Sequence, residues 1–440
     1  MRSIILIILL INNVSHAQVK AWETDAAPLH RAQKALTSVI IHDIFSPPVA
    51  SRIYAYTNMA AYEVLVKQSS GYQSLHKQVK SFPEIPAAPK NISASLAAVN
   101  AFLMVGKNLV FSEKMMQDSI DNILNWYQSK KISKKQYDAS LNYGNQVASA
   151  VMKWAAQDQY KETRILRRYN YLKQEGKWMP TPPMYMAAIE PYWNRIRPIF
   201  LDSCNQFQPL PPPDFSTSKE SIFYQQAMEV YTATSNLTSE GKAIASFWDC
   251  NPFAVSTEGH LNFASKKISP GGHWMSIAGL ACIKTGAGIM KTASAYSLTA
   301  IALFDGFIIC WDEKYRSNVI RPETYINRYI DESWRPLLQT PPFPEYSSGH
   351  SVVSTVAAAI LTHLFGDRFE YDDDTEVDFG LPVKHFSSFI DAGKEAAVSR
   401  LYGGIHYRAA IEQGQIQGNN LGKWIVEKVR LNETISINSK

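Results

Sequence analysis

The chain has 440 residues, 46% hydrophobic and 19% charged, which describes a globular protein with a large core and excludes a disordered one. Its formal net charge of +5 is mild and its basic residues are dispersed, so no nucleic-acid footprint is expected.

At the N-terminus Arg2 precedes an apolar run, Ile4–Ile11, then polar Asn12 and Asn13, then Ser15-His16-Ala17. A short positive region, an apolar stretch of this length and small residues at the cleavage positions predict a secretory signal peptide over residues 1–17, cut after Ala17. No cysteine follows the cut, so no lipid anchor is indicated, and the expected location is periplasmic or extracellular. Beyond it, no apolar stretch approaches the ~18 residues of a membrane span. The best candidates, Leu298–Trp311 and Val352–Phe365, are interrupted by Asp305 and His363, so no membrane partner is expected.

The rest reads as helix nearly throughout. Leu29, Ala32, Leu36, Val39 and Ile40 recur at helical spacing, and Ser46-Pro47-Pro48 ends that helix. Helices are predicted over Val49–Val66, Ser93–Val110, Lys114–Gln128, and from an N-cap at Ser133 to about Gln157. Tyr160–Glu220 is proline-rich, including Met179-Pro180-Thr181-Pro182-Pro183 and Pro209-Leu210-Pro211-Pro212-Pro213, and reads as an extended surface connection. Helices resume over Lys219–Thr232, Ser239–Trp248, Trp274–Thr285, Ala293–Tyr315, Val352–Phe365, Ser387–Leu401 and Tyr407–Val429. The expected fold is all-α, with two helical bundles: residues 18–200, a Pro-rich linker at 201–220, a C-terminal helical domain at 221–431 carrying the chemistry, and a tail at 432–440. Ala410, Gly414, Gly418 and Gly422 form a small-residue stripe on the last helix, suited to close packing on another helix. Asp372-Asp373-Asp374 reads as a solvated acidic turn, with calcium binding the alternative. Cys204, Cys250, Cys282 and Cys310 allow two disulfides in three connectivities, although Cys282 and Cys310 sit in apolar helical runs that favour buried thiols.

Three separated motifs carry chemistry together. Lys314 and Arg321, followed by Pro322, are one heptad apart, so on a continuous helix they would lie about 20° apart on one face. Two cations on one side are costly unless an anion sits between them. Ser348-Gly349-His350 opens a helix, where unpaired N–H groups and the macrodipole favour an anion. Ser399-Arg400 ends a helix, Gly403-Gly404 turns the chain, and His406 follows. Convergence of Lys314, Arg321, Arg400 and the Gly349 amide would cage a tetrahedral or trigonal oxyanion. One histidine could then bond to the central atom and the other could move protons.

This ordered trio resembles the signature of the superfamily of vanadium-dependent haloperoxidases and related acid phosphatases, soluble bacterial haloperoxidases above all. The resemblance runs from about Phe247 to the end of the last helix. It includes Phe247-Trp248, Pro270-Gly271-Gly272-His273-Trp274, Cys310–Lys314 and Phe343-Pro344-Glu345-Tyr346. It implies vanadate as cofactor, its oxygens held by Lys314, Arg321, Ser348, Gly349 and Arg400. It further implies His406 as the vanadium ligand, His350 as acid/base, and hydrogen peroxide, halide and an organic acceptor as small-molecule substrates, giving hypohalous acid. Trp311 and Phe343 match positions lining the halide side. Bromide-type members often carry a second histidine where Phe343 stands, which points to a chloro- or iodo-type pocket, or none. His273 would either lie near the pocket mouth or cap the helix start. An acid phosphatase is the alternative, with phosphate in the same site, a phosphate ester as substrate and His406 forming a phosphohistidine; an oxyanion-binding protein without turnover is the third reading. A homodimer remains open. Two departures stand out: Ser347 replaces the usual proline, and Ala410 replaces the aspartate that usually orients the second histidine. Another acceptor must serve His406, with Glu412 or a backbone carbonyl as the candidates.

Overall fold

Serine caps and first-turn prolines place several of the helix starts. The structure, a computed structural model, describes residues 20–258, 261–264 and 266–431. The signal-peptide and tail regions lie outside the described residues. In chain order the helices are α1 Ala21–Thr24, α2 Ala27–His42, α3 Pro47–Val66, α4 Ala94–Leu109, α5 Glu113–Gln128, α6 Lys134–Ala155, α7 Tyr160–Arg164, α8 Ile222–Ser235, α9 Ser239–Phe247, α10 Pro270–Lys284, α11 Ile289–Ser317, α12 Pro322–Tyr329, α13 Gly349–Phe365, α14 Phe389–Tyr402 and α15 Arg408–Lys428. Two short antiparallel pairs interrupt them, β1 Val255–Glu258 with β2 Leu261–Ala264, and β3 Tyr371–Asp373 with β4 Lys384–Phe386. The Ser93, Ser133 and Ser269 hydroxyls each accept an N–H from the first turn of α4, α6 and α10. Proline opens α3, α10 and α12, where its missing N–H costs no helical bond. The all-α expectation therefore holds, with strands confined to short pairs.

The two halves share one hydrophobic core, in which α3 packs on α11. Every residue of α3 is buried, as is nearly all of α11 up to Lys314. Among the described residues α11 is the one helix long and apolar enough to cross a membrane, and its most apolar 18-residue window, of mean hydropathy 1.6, is wholly buried inside the protein. The expectation that no stretch is long enough to span rests on Asp305 interrupting Leu298–Trp311, and the apolar helix runs past it on both sides. Asp305 is instead capped inside the protein: its carboxylate accepts the N–H groups of Ile199 and Phe200 at 2.8 and 2.7 Å, and burial pushes its pKa up to about 6.

Tyr160–Glu220 has little regular structure beyond α7 and a turn at Trp193–Arg195. It is nonetheless threaded into the protein, with Trp178 and Trp193 fully buried. The Trp178 N–H donates to the Asn318 carbonyl at 3.0 Å, and the Trp311 indole donates to the Ile189 carbonyl at 3.2 Å. The segment thus braces the C-terminal end of α11.

The glycine stripe does seat α15 on α13. A Cβ on Gly418 would lie 2.4 Å from the Val352 carbonyl oxygen, one on Gly414 2.9 Å from that of Ser348, and one on Gly422 2.8 Å from the Ala359 Cβ. This close approach fixes the first turn of α13, where the Ser348 N–H donates to the Ala410 carbonyl at 3.0 Å. Two sequence readings are settled here, the choice between disulfides and free thiols, in favour of the thiols expected at Cys282 and Cys310, and the acidic turn. All four cysteines are free thiols, because they sit in different environments: Cys204 beside Asp312, Cys250 beside His273, Cys310 against the Ser347 carbonyl, and Cys282 buried in α10. Asp372–Asp374 is not simply a solvated turn, since Asp373 lies in β3 and is fully buried.

Candidate active site

Lys314 stands in the last turn of α11. That helix ends at Ser317, and Asn318 takes a left-handed conformation with φ 53°. Arg321 is therefore not on the same helix as Lys314, contrary to the continuous-helix reading, but is the N-cap of α12. It returns to Lys314 through tertiary bonds: Nε donates to the Phe343 carbonyl at 2.8 Å and Nη1 to the Ile405 carbonyl at 2.9 Å. Arg400 comes from the last turn of α14, its Nη2 donating to the Trp248 carbonyl at 2.6 Å. The chain then turns at Gly404, whose φ of 76° suits glycine, and presents His406. Ser348 caps α13, and Gly349 and His350 form its first turn.

These pieces converge. Gly349, His350, Arg400 and His406 line one cleft with Trp311 and Phe343, about 490 Å³ of empty space counted to its open mouth. Arg321 Nη1 lies 3.2 Å from His406 Nε2, and the Lys314 Cε lies 4.0 Å from where a Gly349 Cβ would be. Trp311 and Phe343 pack with ring centroids 4.9 Å apart, and the Lys314 ammonium sits 5.1 Å from the Phe343 ring centre. Pro47 of the first half also lines the cleft, where sequence reasoning found no chemistry.

His406 is held from both sides. Its Nδ1 lies 2.8 Å from Glu345 Oε1, which also accepts the Tyr407 N–H at 3.0 Å. A proton on Nδ1 satisfies that bond and leaves the Nε2 lone pair facing Arg321. Glu345 is thus the missing acceptor, whereas Glu412 is exposed and faces Arg408. The Phe343-Pro344-Glu345-Tyr346 motif assigns Glu345 no role by itself; the signal it carries is a carboxylate in an otherwise apolar run, five residues before His350. His273 is likewise corrected: it is fully buried behind Cys250, not at the cleft mouth.

Three cations, Lys314, Arg321 and Arg400, are buried here with Glu345 among them. Burial pushes the Lys314 pKa down to about 8 and that of Arg321 to about 10, and lowers that of Arg400. Burial and the neighbouring cations hold His406 well below its ordinary range, and burial and Arg400 do the same to His350. Burial lifts Glu345 to about 7 against the pull of Arg321 and Lys314. Lys314 already donates to the carbonyls of Ser347, Pro344 and Glu345 at 2.6, 3.1 and 3.1 Å, so it braces the loop before α13. By contrast, Arg321 Nη2 and His350 Nε2 are buried without partners. Buried polar atoms of this kind require a partner, and an oxyanion among these donors supplies one. Vanadate, a tetrahedral oxyanion that also takes a neutral imidazole ligand, fits this donor set.

The family of the VCPO second helical-bundle domain matches residues 294–433. A bacterial vanadium-dependent iodoperoxidase of known structure is 48% identical, with 92% of this chain and 96% of that one covered and a TM-score of 0.87. A bacterial vanadium-dependent chloroperoxidase shares the fold at 16% identity: its holo form gives a TM-score of 0.68 over 88% of this chain and 93% of that one, and its apo form 0.67 over 87% and 94%. No curated protein matches the chain. With identity of this order along nearly the whole length, the chain belongs to the vanadium-dependent haloperoxidases, oxidoreductases whose cofactor is vanadate.

Proposed function

We propose that this protein oxidises iodide with hydrogen peroxide, and that it does so after export and removal of residues 1–17. The observation that carries the catalytic part is His406, with Nδ1 on Glu345 and Nε2 beside Arg321. Vanadate, when bound, supplies the Lewis-acid centre that activates peroxide toward halide. His406 would hold it through the Nε2 lone pair, and Glu345 fixes the tautomer and ring orientation that this requires. Arg321 Nη2, Arg400, the Gly349 amide and the Ser348 hydroxyl would donate to its oxygens. Ser348 Oγ accepts the Ser351 hydroxyl at 2.9 Å, which leaves its own proton to donate. Lys314 contributes charge and holds the Pro344–Ser347 carbonyls. His350 takes the peroxide proton: its lowered pKa keeps it neutral as a base, and its Nε2 is unencumbered.

Iodide is favoured because the 48% identical relative is an iodoperoxidase. Trp311 and Phe343 give the cleft an aromatic wall suited to a large, weakly hydrated anion. The test is reconstitution with vanadate, followed by peroxide-dependent oxidation of iodide, bromide and chloride, beside aryl phosphate hydrolysis by vanadate-free protein. Iodide oxidation well above the other halides, with negligible hydrolysis, is expected; hydrolysis without halide oxidation would transfer the site to the phosphatase reading. For export, the mature protein recovered outside the cytoplasm should begin at Gln18, and retention of residues 1–17 would refute that part.

A further inference from the structure

Behind the cleft wall lies a second cluster of chemistry-bearing side chains that the haloperoxidase reaction does not use. Cys250, His273 and Glu376 are all buried, at 2%, 0% and 5% exposure. Cys250 Sγ lies 3.5 Å from His273 Nδ1 and 3.9 Å from Glu376 Oε1, and His273 Nδ1 lies 3.1 Å from Glu376 Oε1. Tetrahedral zinc, with bonds of about 2.0–2.3 Å to N, O and S, sets its ligand atoms about 3.3–3.6 Å apart. The 3.5 Å edge falls in that range, and the 3.9 and 3.1 Å edges lie within a few tenths of an ångström of it, so small side-chain shifts bring the three atoms onto one face of a coordination tetrahedron.

The other nitrogen of the imidazole strengthens the case. His273 Nε2 is 2.8 Å from Asp373 Oδ2, and Asp373 is itself fully buried. A carboxylate on the far side of a ligating histidine is the usual partner that orients the ring and raises its basicity. Thiolate, imidazole and carboxylate together suit zinc better than the hard cations, which take oxygen alone.

We propose that Cys250, His273 and Glu376 hold a zinc ion, oriented by Asp373. Binding displaces the Cys250 thiol proton and one imidazolium proton, from Nδ1, so Zn²⁺ enters and two H⁺ leave. The net charge of the buried cluster is unchanged by that exchange. The fourth ligand is a water reached through the cleft, which Cys250 lines. The ion would brace the Trp248–Cys250 turn, where the Trp248 carbonyl accepts from Arg400 and the indole stacks on His273 at 4.6 Å. The proposal stands independently of the halide chemistry.

The test uses the full-length protein expressed with added zinc, dialysed and analysed for metal by mass spectrometry, and a parallel preparation grown on cobalt. Near one zinc per chain and a near-ultraviolet thiolate-to-cobalt charge-transfer band are expected in the unmodified protein. Cys250→Ser should abolish the band, and Glu376→Gln should weaken metal retention at least 10-fold. Absence of both zinc and the cobalt band from the unmodified protein would overturn the site, whatever the variants do. Retention of the band in Cys250→Ser would overturn the assignment of the thiol.

Discussion

His406 and His273 are both buried, and each meets a carboxylate at 2.8 Å. Their surroundings then diverge. Around His406 the remaining charges are Arg321, Lys314 and Arg400, and these join burial in holding the imidazole neutral. Around His273 the neighbours are Asp373, Glu376 and the Cys250 thiol; Asp373 and Cys250 outweigh burial and keep the imidazole charged well above the ordinary range. One His–carboxylate geometry thus serves two ends. A neutral imidazole with a lone pair toward cations is a ligand for an oxyanion's central atom, while one between carboxylates is charged in the metal-free protein and ties them together until a metal displaces its Nδ1 proton.

The comparison is broken most severely by removing the tie. His273→Ala leaves Asp373 and Glu376 buried without their cation, and loss of one partner from a buried pair costs about 3–5 kcal/mol. Urea unfolding should show it as a large fall in the midpoint; an unchanged midpoint would mean the pair contributes nothing. On the other side, Glu345→Ala should leave the chain folded by circular dichroism but weaken vanadate binding about 10–100-fold, as loss of a ligand's hydrogen-bond partner does. Isothermal titration with vanadate reads this directly, and an unaltered affinity would remove Glu345 from its positioning role. Gly418→Ala tests the packing that seats α13 beneath the site: a methyl 2.4 Å from the Val352 carbonyl is expected to destabilise by about 1–3 kcal/mol.

The smallest effect is on the pH profile of stability, and it separates the two environments. His350 and His406 have folded pKa values below the ordinary 6.5, so the unfolded chain binds more protons and stability falls as pH drops through that value. In the metal-free protein His273 has a folded pKa above 6.5, so its contribution is complete below that value and is lost as pH rises through its folded pKa. In the metal-free protein His273→Ala should therefore flatten the alkaline limb of the urea-midpoint profile and leave the acid limb as it is in the unmodified protein. A variant that flattens the acid limb instead would reverse the assignment of charge.

Much of this was legible in the sequence where local rules decide. Serine caps, proline starts and the glycine stripe of α15 located helices and one packing face, because each acts through its own backbone. Lys314, Arg321, Arg400, His350 and His406 could be singled out because cations and imidazoles in ordered motifs are rare enough to pair with an oxyanion. What the sequence withheld was long-range. The αL break at Asn318, which separates Lys314 and Arg321 onto different elements, is invisible to a heptad count. Glu345 replaces the acceptor missing at Ala410 from a segment 61 residues upstream of His406, and only the fold brings the two together. Asp373 looked solvated within an acidic triplet, yet strand pairing turns that one side chain inward to His273.

The most direct measurement is vanadate affinity and iodide turnover in His406→Ala and His350→Ala, made side by side. Turnover should vanish in both, with vanadate binding strongly weakened in His406→Ala and nearly intact in His350→Ala. Undiminished turnover or vanadate affinity in His406→Ala would contradict the account at its centre.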